Sequence, residues 1–291
     1  MSHYTINTVE GDRAEIVFHG VPYADFDRTG HWSIWAIAKM FEASRLIPLY
    51  HGFLHFQQVD GAHHGLVVRK QVLRLNPKLH QNMSIFSNLM MKFNLEVLSL
   101  GKTSVTYVSR FTDGESGELL AENFVKFVRI NRKTRRAAEF PSFFQEMYGV
   151  MNGKETLPFL DKRIIAGQPP QDAYTYKVLV RSSDTDRNRH VNQAMYVKYC
   201  MDCATEAAIN KYYKNFDSDM CMYTTTKWEI DYIGESGTRD LLEIVTWQSC
   251  DDLRHIGFLI RMEQKEIFRA STMFELQKQI SPVKRNKSAR L

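Results

Sequence analysis

Nowhere in this sequence does an uninterrupted apolar run approach the ~18 residues that a membrane-crossing helix needs. Its polar opening, MSHYTINTVEGDR with Glu10 and Asp12, lacks the apolar stretch of a secretory signal. Cysteine is scarce. Cys200, Cys203, Cys221 and Cys250 are too few and too irregular for a disulfide framework, so a reducing compartment is the expectation. Cys200 and Cys203 spell C-x-x-C, but in mid-helix and with no second pair, so no metal site and no cofactor are expected there. Acidic residues are outnumbered only slightly, 33 Asp and Glu against 38 Lys and Arg, for a net charge of +5. That excess suits an anionic ligand and is far from a nucleic-acid signature.

What is present centres on Arg181–Cys203, RSSDTDRNRHVNQAMYVKYCMDC. Asp184, Asp186, Asn188 and His190 stand at alternate positions, so an extended strand here is expected to show all four on one face. Behind them a mostly apolar run free of Gly and Pro continues into CATEAAINKYY and predicts a helix. Asn192 or Asn188 would cap it, and its free backbone N–H groups would attract an anion or a developing oxyanion.

The same pattern occurs earlier. Asp25, Asp27, Arg28 and His31 match Asp184, Asp186, Arg187 and His190 at one constant offset of 159 residues, which points to an internal duplication. A strand over residues 14–24 precedes the first copy, and WSIWAIAKMFEASRLIPLY, ended by Pro48, supplies its helix. Four strands are expected after each helix: near Gly65–Leu75, Ile85–Leu98, Ser104–Phe111 and Leu119–Ile130, then near Met222–Tyr232, Leu241–Gln248, Ile256–Gln264 and Ile267–Leu276. With 291 residues and 44% hydrophobic content, two cores are affordable. The expected class is α+β, a long central helix wrapped by an antiparallel sheet, given twice. The division read from the sequence is 1–140, a linker 141–171 with a helix around Ser142–Val150, 172–280, and a basic tail 281–291.

At this point each repeat resembles a hotdog domain, and the pair resembles the double-hotdog acyl-ACP thioesterases best known from plants. The residues that carry the resemblance are Asp186-x-Asn188-x-His190-Val191-Asn192, similar to the family's D-x-N-x-H-V-N, with a family tyrosine at Tyr196. Glu235-Ser236-Gly237, 45 residues past His190, is similar to the family's Glu-Cys-Gly, with Ser236 in place of the cysteine. The resemblance implies a tandem hotdog fold and a catalytic set of Asp186, Asn188, His190 and Glu235. It implies a fatty acyl thioester substrate on acyl carrier protein or CoA, no cofactor, no nucleic acid and no membrane span; a homodimer stays open.

Thioester hydrolysis needs an activated water or nucleophile and donors for the carbonyl oxygen, while a thiolate leaves readily because thiol pKa values lie near about 8.5. His190 with Glu235 suits activation of water, Asn188 suits its positioning, and Asp186 suits either direct attack or support of the network. Val191 and Asn192, at the helix start, suit the oxyanion. Trp32, Trp35 and Met40 suit an acyl tunnel in the first repeat, although a helix inside a sheet is apolar for packing alone. The basic string Arg129, Arg132, Lys133, Arg135 and Arg136 reads either as a greeting to phosphates or an acidic carrier, or as a solvated strand end. In the first copy Thr29 stands for Asn188, and Leu75–Asn82 has no carboxylate to match Glu235, so one active site per chain is expected. Two alternatives use the same fold: an enoyl-thioester hydratase or dehydratase, disfavoured because Arg189 follows Asn188 where that group has proline, and a catalytically silent acyl-thioester binder. The terminal Ala289-Arg290-Leu291 has the small, basic, leucine pattern of a peroxisomal address; without it, a cytosolic or plastid-type location is the expectation.

Overall fold

A computed structural model describes residues 3–81, 83, 87, 89–149 and 167–278. Five strands and one long helix form the first half, preceded by an edge strand: β1 (Tyr4–Val9), β2 (Arg13–His19), α1 (Ile34–Tyr50), α2 (Phe56–Val59), β3 (His64–Leu75), α3 (Lys78–Gln81), β4 (Met90–Leu100), β5 (Ser104–Asp113) and β6 (Leu119–Asn131). A short helix, α4 (Ser142–Tyr148), follows. The second half runs β7 (Tyr174–Leu179), α5 (Gln193–Ile209), β8 (Tyr223–Tyr232), β9 (Leu241–Gln248), β10 (His255–Met262) and β11 (Lys265–Lys278). The middle of the sequence-predicted linker, 150–166, and the basic tail with Ala289-Arg290-Leu291 lie outside the described residues, as does part of the predicted start of the strand at Ile85–Leu98.

Among the described residues, eleven strands join one antiparallel sheet in the order β1-β2-β4-β5-β6-β3-β8-β11-β10-β9-β7. The order β2-β4-β5-β6-β3 in one half is repeated strand for strand by β7-β9-β10-β11-β8 in the other. Where they meet, β3 pairs with β8, Leu73 opposite Trp228 and Gln71 opposite Ile230. Helices α1 and α5 have equal lengths and start 159 residues apart, the offset already seen in the motifs. They lie against each other and against the inner side chains of the sheet. The reason is composition: α5 buries Ala194, Met195, Tyr196, Val197, Tyr199, Cys200 and Ala204 among others, so a solvated helix would expose more apolar surface than its propensity repays. Burial also pushes the Cys200 and Cys203 thiols upward, so both are protonated core groups.

Two expectations need correction. The predicted strand over residues 14–24 ends at His19, and a 3-10 turn over Tyr23–Asp25 follows. Likewise, the residues from Asp184 to His190 are not a strand. The strand is β7, further back, and Ser182–Asp184 forms a 3-10 turn leading into a tight loop. Alternate spacing of polar residues lacks the apolar half of a strand pattern; Asp and Asn satisfy nearby backbone N–H groups instead. Edge strand β1 was not anticipated either, because its sequence, YTINTV, is mostly polar on the exposed face.

Candidate active site

The loop before α5 is shaped by Asp186. Its Oδ1 accepts the backbone N–H of Asn188 at 2.7 Å and of His190 at 3.3 Å, while the Asp186 and His190 main chains close a hairpin at 2.8 Å. Arg189 completes the bend at a left-handed φ of 64°. Asp184 lies beneath, buried, accepting the Arg181 N–H at 2.9 Å and the Tyr199 hydroxyl at 2.8 Å. The four polar side chains therefore do not share a face: Asp184 is structural, Asp186 holds the turn, and Asn188 and His190 reach outward.

His190 is met from across the sheet. Its main chain bridges Gly237, and the Val191 N–H donates to the Ser236 carbonyl at 2.8 Å, which brings the Glu235 side chain to the ring. His190 Nε2 and Glu235 Oε2 are 3.6 Å apart, with side chains 45% and 38% exposed. Glu235 Oε1 is held by Arg135 Nη2, a contact between the first half and the second. Arg135 was read from the sequence only as one of a basic string, because nothing local marks the one arginine whose partner lies 100 residues away. Behind Glu235, Ser236 is buried with its hydroxyl 2.8 Å from that of Tyr196, and the Tyr196 ring stacks on Phe268.

The start of α5 is capped by Asn192, whose Oδ1 accepts the Ala194 N–H at 2.9 Å. Val191 cannot serve an oxyanion as expected, since its N–H is committed to Ser236. Among the described residues the Gln193 N–H has no partner, so the open donor at this helix end is two residues further on. The first half also lines this end: Asn192 Nδ2 donates to Glu42 Oε2 at 2.9 Å, and Arg45 Nη2 to Gln193 Oε1 at 2.7 Å. Neither Glu42 nor Arg45 stood out in the sequence, although Glu42 aligns at the duplication offset with Met201, a polar residue where its counterpart is apolar.

The first copy folds its loop the same way. Asp27 Oδ1 accepts the N–H groups of Thr29 and His31 at 2.8 and 3.2 Å, and Gly30 stands at the Arg189 position with φ 86°. Here, however, the ring meets another ring: His31 stacks on His80 of α3, with centroids 4.0 Å apart. Burial holds the His31 pKa below its usual value, and burial with the neighbouring His31 lowers His80 to about 4, so both are neutral at pH 7. Beside this pair opens a small cleft lined by Trp32, Ile37, Leu79, His80, Met201 and Tyr223, among others. Trp32 thus faces free space, whereas Trp35 and Met40 sit half-buried against the core and do not line that cleft.

Residues 167–276 match the family model of the acyl-ACP thioesterase C-terminal domain. Curated protein sequences yield no match. Among solved structures, the 12:0-ACP thioesterase from Umbellularia californica superposes with a TM-score of 0.70 at 16% identity, covering 92% of this chain and 99% of its own. A putative oleoyl thioesterase from Lactobacillus plantarum gives 0.70 at 15% identity, covering 94% and 98%. An acyl-ACP thioesterase from Bacteroides thetaiotaomicron gives 0.67 at 14%, covering 90% and 98%. Residues 167–276, which hold His190 and Glu235, are thus similar to the acyl-ACP thioesterase C-terminal domain, and the superposed structures share the fold.

Proposed function

We propose that the chain is a tandem hotdog thioesterase that hydrolyses fatty acyl thioesters to the free acid and thiol at one site, formed by residues 172–280, while residues 1–140 contribute mainly to holding the acyl chain. The observation that carries this reading is the meeting of His190 with Glu235 in the half that matches the thioesterase family. With Nε2–H turned toward Glu235, His190 Nδ1 is free to take a proton from water, and the carboxylate stabilises the imidazolium that results. The water oxygen attacks the thioester carbon, and the carbonyl oxygen gains its charge near the open Gln193 N–H at the start of α5. The C–S bond then breaks, and the imidazolium returns its proton to the departing thiolate. Asp186 has its Oδ1 occupied by two backbone N–H groups, which favours a role in holding the loop over a role as nucleophile. The Asn188 side chain, outward and without a hydrogen bond among the described residues, is left to position water or carbonyl.

Acyl carrier protein is the carrier we favour, since exposed Arg132, Lys133, Arg135 and Arg136 belong to the turn that delivers Arg135 to Glu235. Thiol release from matched acyl-ACP and acyl-CoA, measured beside hydration of a trans-2-enoyl thioester, tests the reading. The expected outcome is thiol release, faster from the acidic carrier at low ionic strength and without hydration. Hydration without thiol release would replace it with the hydratase alternative.

A further inference from the structure

Strand β6 ends in a turn that carries the basic residues Arg132, Lys133, Arg135 and Arg136. Hydrogen bonds close this turn at both ends: the Asn131 N–H donates to the Arg136 carbonyl at 2.9 Å, and the Arg135 N–H to the Asn131 carbonyl at 2.8 Å. Asn131 Oδ1 accepts the Lys133 and Thr134 N–H groups at 3.0 and 2.9 Å. Arg132 ties the turn to the start of β3, donating to the Gly61 and His64 carbonyls and to Asp60 Oδ1 at 2.8, 3.0 and 2.9 Å. Within this braced frame Arg135 stands at a left-handed φ of 59°, which is unfavourable for a residue with a Cβ. Strain of this kind persists where the surroundings hold it, and it concentrates at functional sites. The cations of the turn then divide. Arg132 is used within the turn, Lys133 and Arg136 meet no carboxylate among the described residues, and Arg135 Nη2 reaches Glu235 Oε1 in the other half.

Glu235 itself is fixed in its backbone and free in its side chain. The Ile233 and Gly234 N–H groups both donate to the Ile267 carbonyl, at 2.9 and 2.8 Å, and on the far side Ser236 is held by Val191. The carboxylate, by contrast, meets only Arg135 and His190 among the described residues, with Oε1 on the arginine and Oε2 3.6 Å from the ring nitrogen. At that distance ring and carboxylate are in ion-pair range without a hydrogen bond between them. A glutamate 38% exposed has three side-chain torsions free to turn Oε2 away from the ring, and ordering them costs entropy. A guanidinium on Oε1, carried by a rigid turn of the first half, leaves Oε2 as the oxygen that faces the imidazole.

We propose that Arg135 is a positioning residue for hydrolysis: anchored on the first half, it holds Glu235 with Oε2 toward His190, so that the carboxylate is in place when the imidazolium forms. The proposal deepens the thioesterase reading and rests on it for the roles of His190 and Glu235. An exposed ion pair without such a role contributes little. N-acetylcysteamine esters of the octanoic to octadecanoic acids carry no phosphate, so a loss of turnover on them is not a loss of electrostatic attraction to the basic turn. On the ester that the full chain hydrolyses fastest, Arg135→Gln is expected to lower kcat and kcat/KM alike by about tenfold, with KM unchanged and Arg135→Lys recovering part of the loss. Arg254→Gln breaks a pair of similar exposure with Asp252, between β9 and β10, and is expected to leave both constants unchanged. An unchanged kcat in folded Arg135→Gln, or a loss confined to KM, overturns the proposal. A second arm needs no turnover: the NMR resonances of the His190 ring are followed at one pH without substrate. Arg135→Gln should move them in the wild-type chain and leave them in place in the Glu235→Gln background, where the carboxylate that links the two is gone. Ring resonances that do not respond to Arg135→Gln, or respond equally in both backgrounds, overturn the positioning role whether or not the esters are hydrolysed. The expected pattern of resonances without thiol release from any ester supports the hold on Glu235 while rejecting the thioesterase reading.

Discussion

The two halves share strand order, helix length and loop geometry, yet present opposite chemistry at the same place. In the second half the loop histidine faces a carboxylate and solvent; in the first it is buried against another histidine. The imidazole stacked on His80 and shut from water is held neutral by its burial. Duplication thus preserved the backbone device, an aspartate that closes a turn with its own side chain, and diverged in what the neighbouring segment offers. After β8 the chain brings Glu235 to the ring, and after β3 it brings His80. Arg135 and Glu42, both from the first half, sit at the second half's candidate site, so that site draws on both copies although only one carries the histidine–carboxylate contact.

The sharpest way to break this comparison is to remove the two histidines separately. His190→Ala is expected to lower kcat on the order of a thousandfold, while His31→Ala leaves most of the activity per folded molecule. Equal losses in the two, measured as thiol release and normalised to folded protein, would mean that the halves are not functionally distinct. A smaller effect lies in the pH dependence of stability. The folded His80 pKa of about 4 is below its unfolded value, so its neutral form is favoured by folding. That contribution is present above about pH 6.5 and is lost as pH falls toward 4, amounting to about 3 kcal/mol at most. Urea unfolding at pH 7 and pH 4.5 should show His80→Gln losing less stability on acidification than the wild-type chain. An unchanged loss would sink the idea that this pair is held neutral at the chain's expense.

The smallest expected effect concerns the turn itself. Arg189 holds the left-handed conformation that Gly30 holds in the first copy, at a cost of about 1 kcal/mol for a residue with a Cβ. Arg189→Gly should raise stability by about that amount, and Gly30→Ala should lower it similarly, both read from urea midpoints. Stability unchanged in both would mean that neither turn carries the left-handed cost.

Much of the architecture was legible. The constant offset between Asp27, His31 and Asp186, His190 foretold a long helix after each polar segment, and alternating apolar residues marked most strands within a few positions. The loop was misread because Asp184, Asp186, Asn188 and His190 alternate as a strand would, and spacing alone does not distinguish an extended chain from a turn whose aspartate bonds its own backbone. Glu235 was reachable through its resemblance to a family segment, whereas Arg135 and His80 were not.

By itself the sequence determined the duplication, the α+β composition and the polar loop ahead of each helix, because these depend on periodicity and on residues within a few positions of one another. Only the tertiary structure decided that Glu235 meets His190 and Arg135, that His80 lies on His31, and that Asn123 and Trp228 flank Leu73. Those contacts follow from the register of strands distant in sequence. A shift of one residue in β3 or β8 would turn each of their side chains to the other face, and no local pattern in the chain records that register.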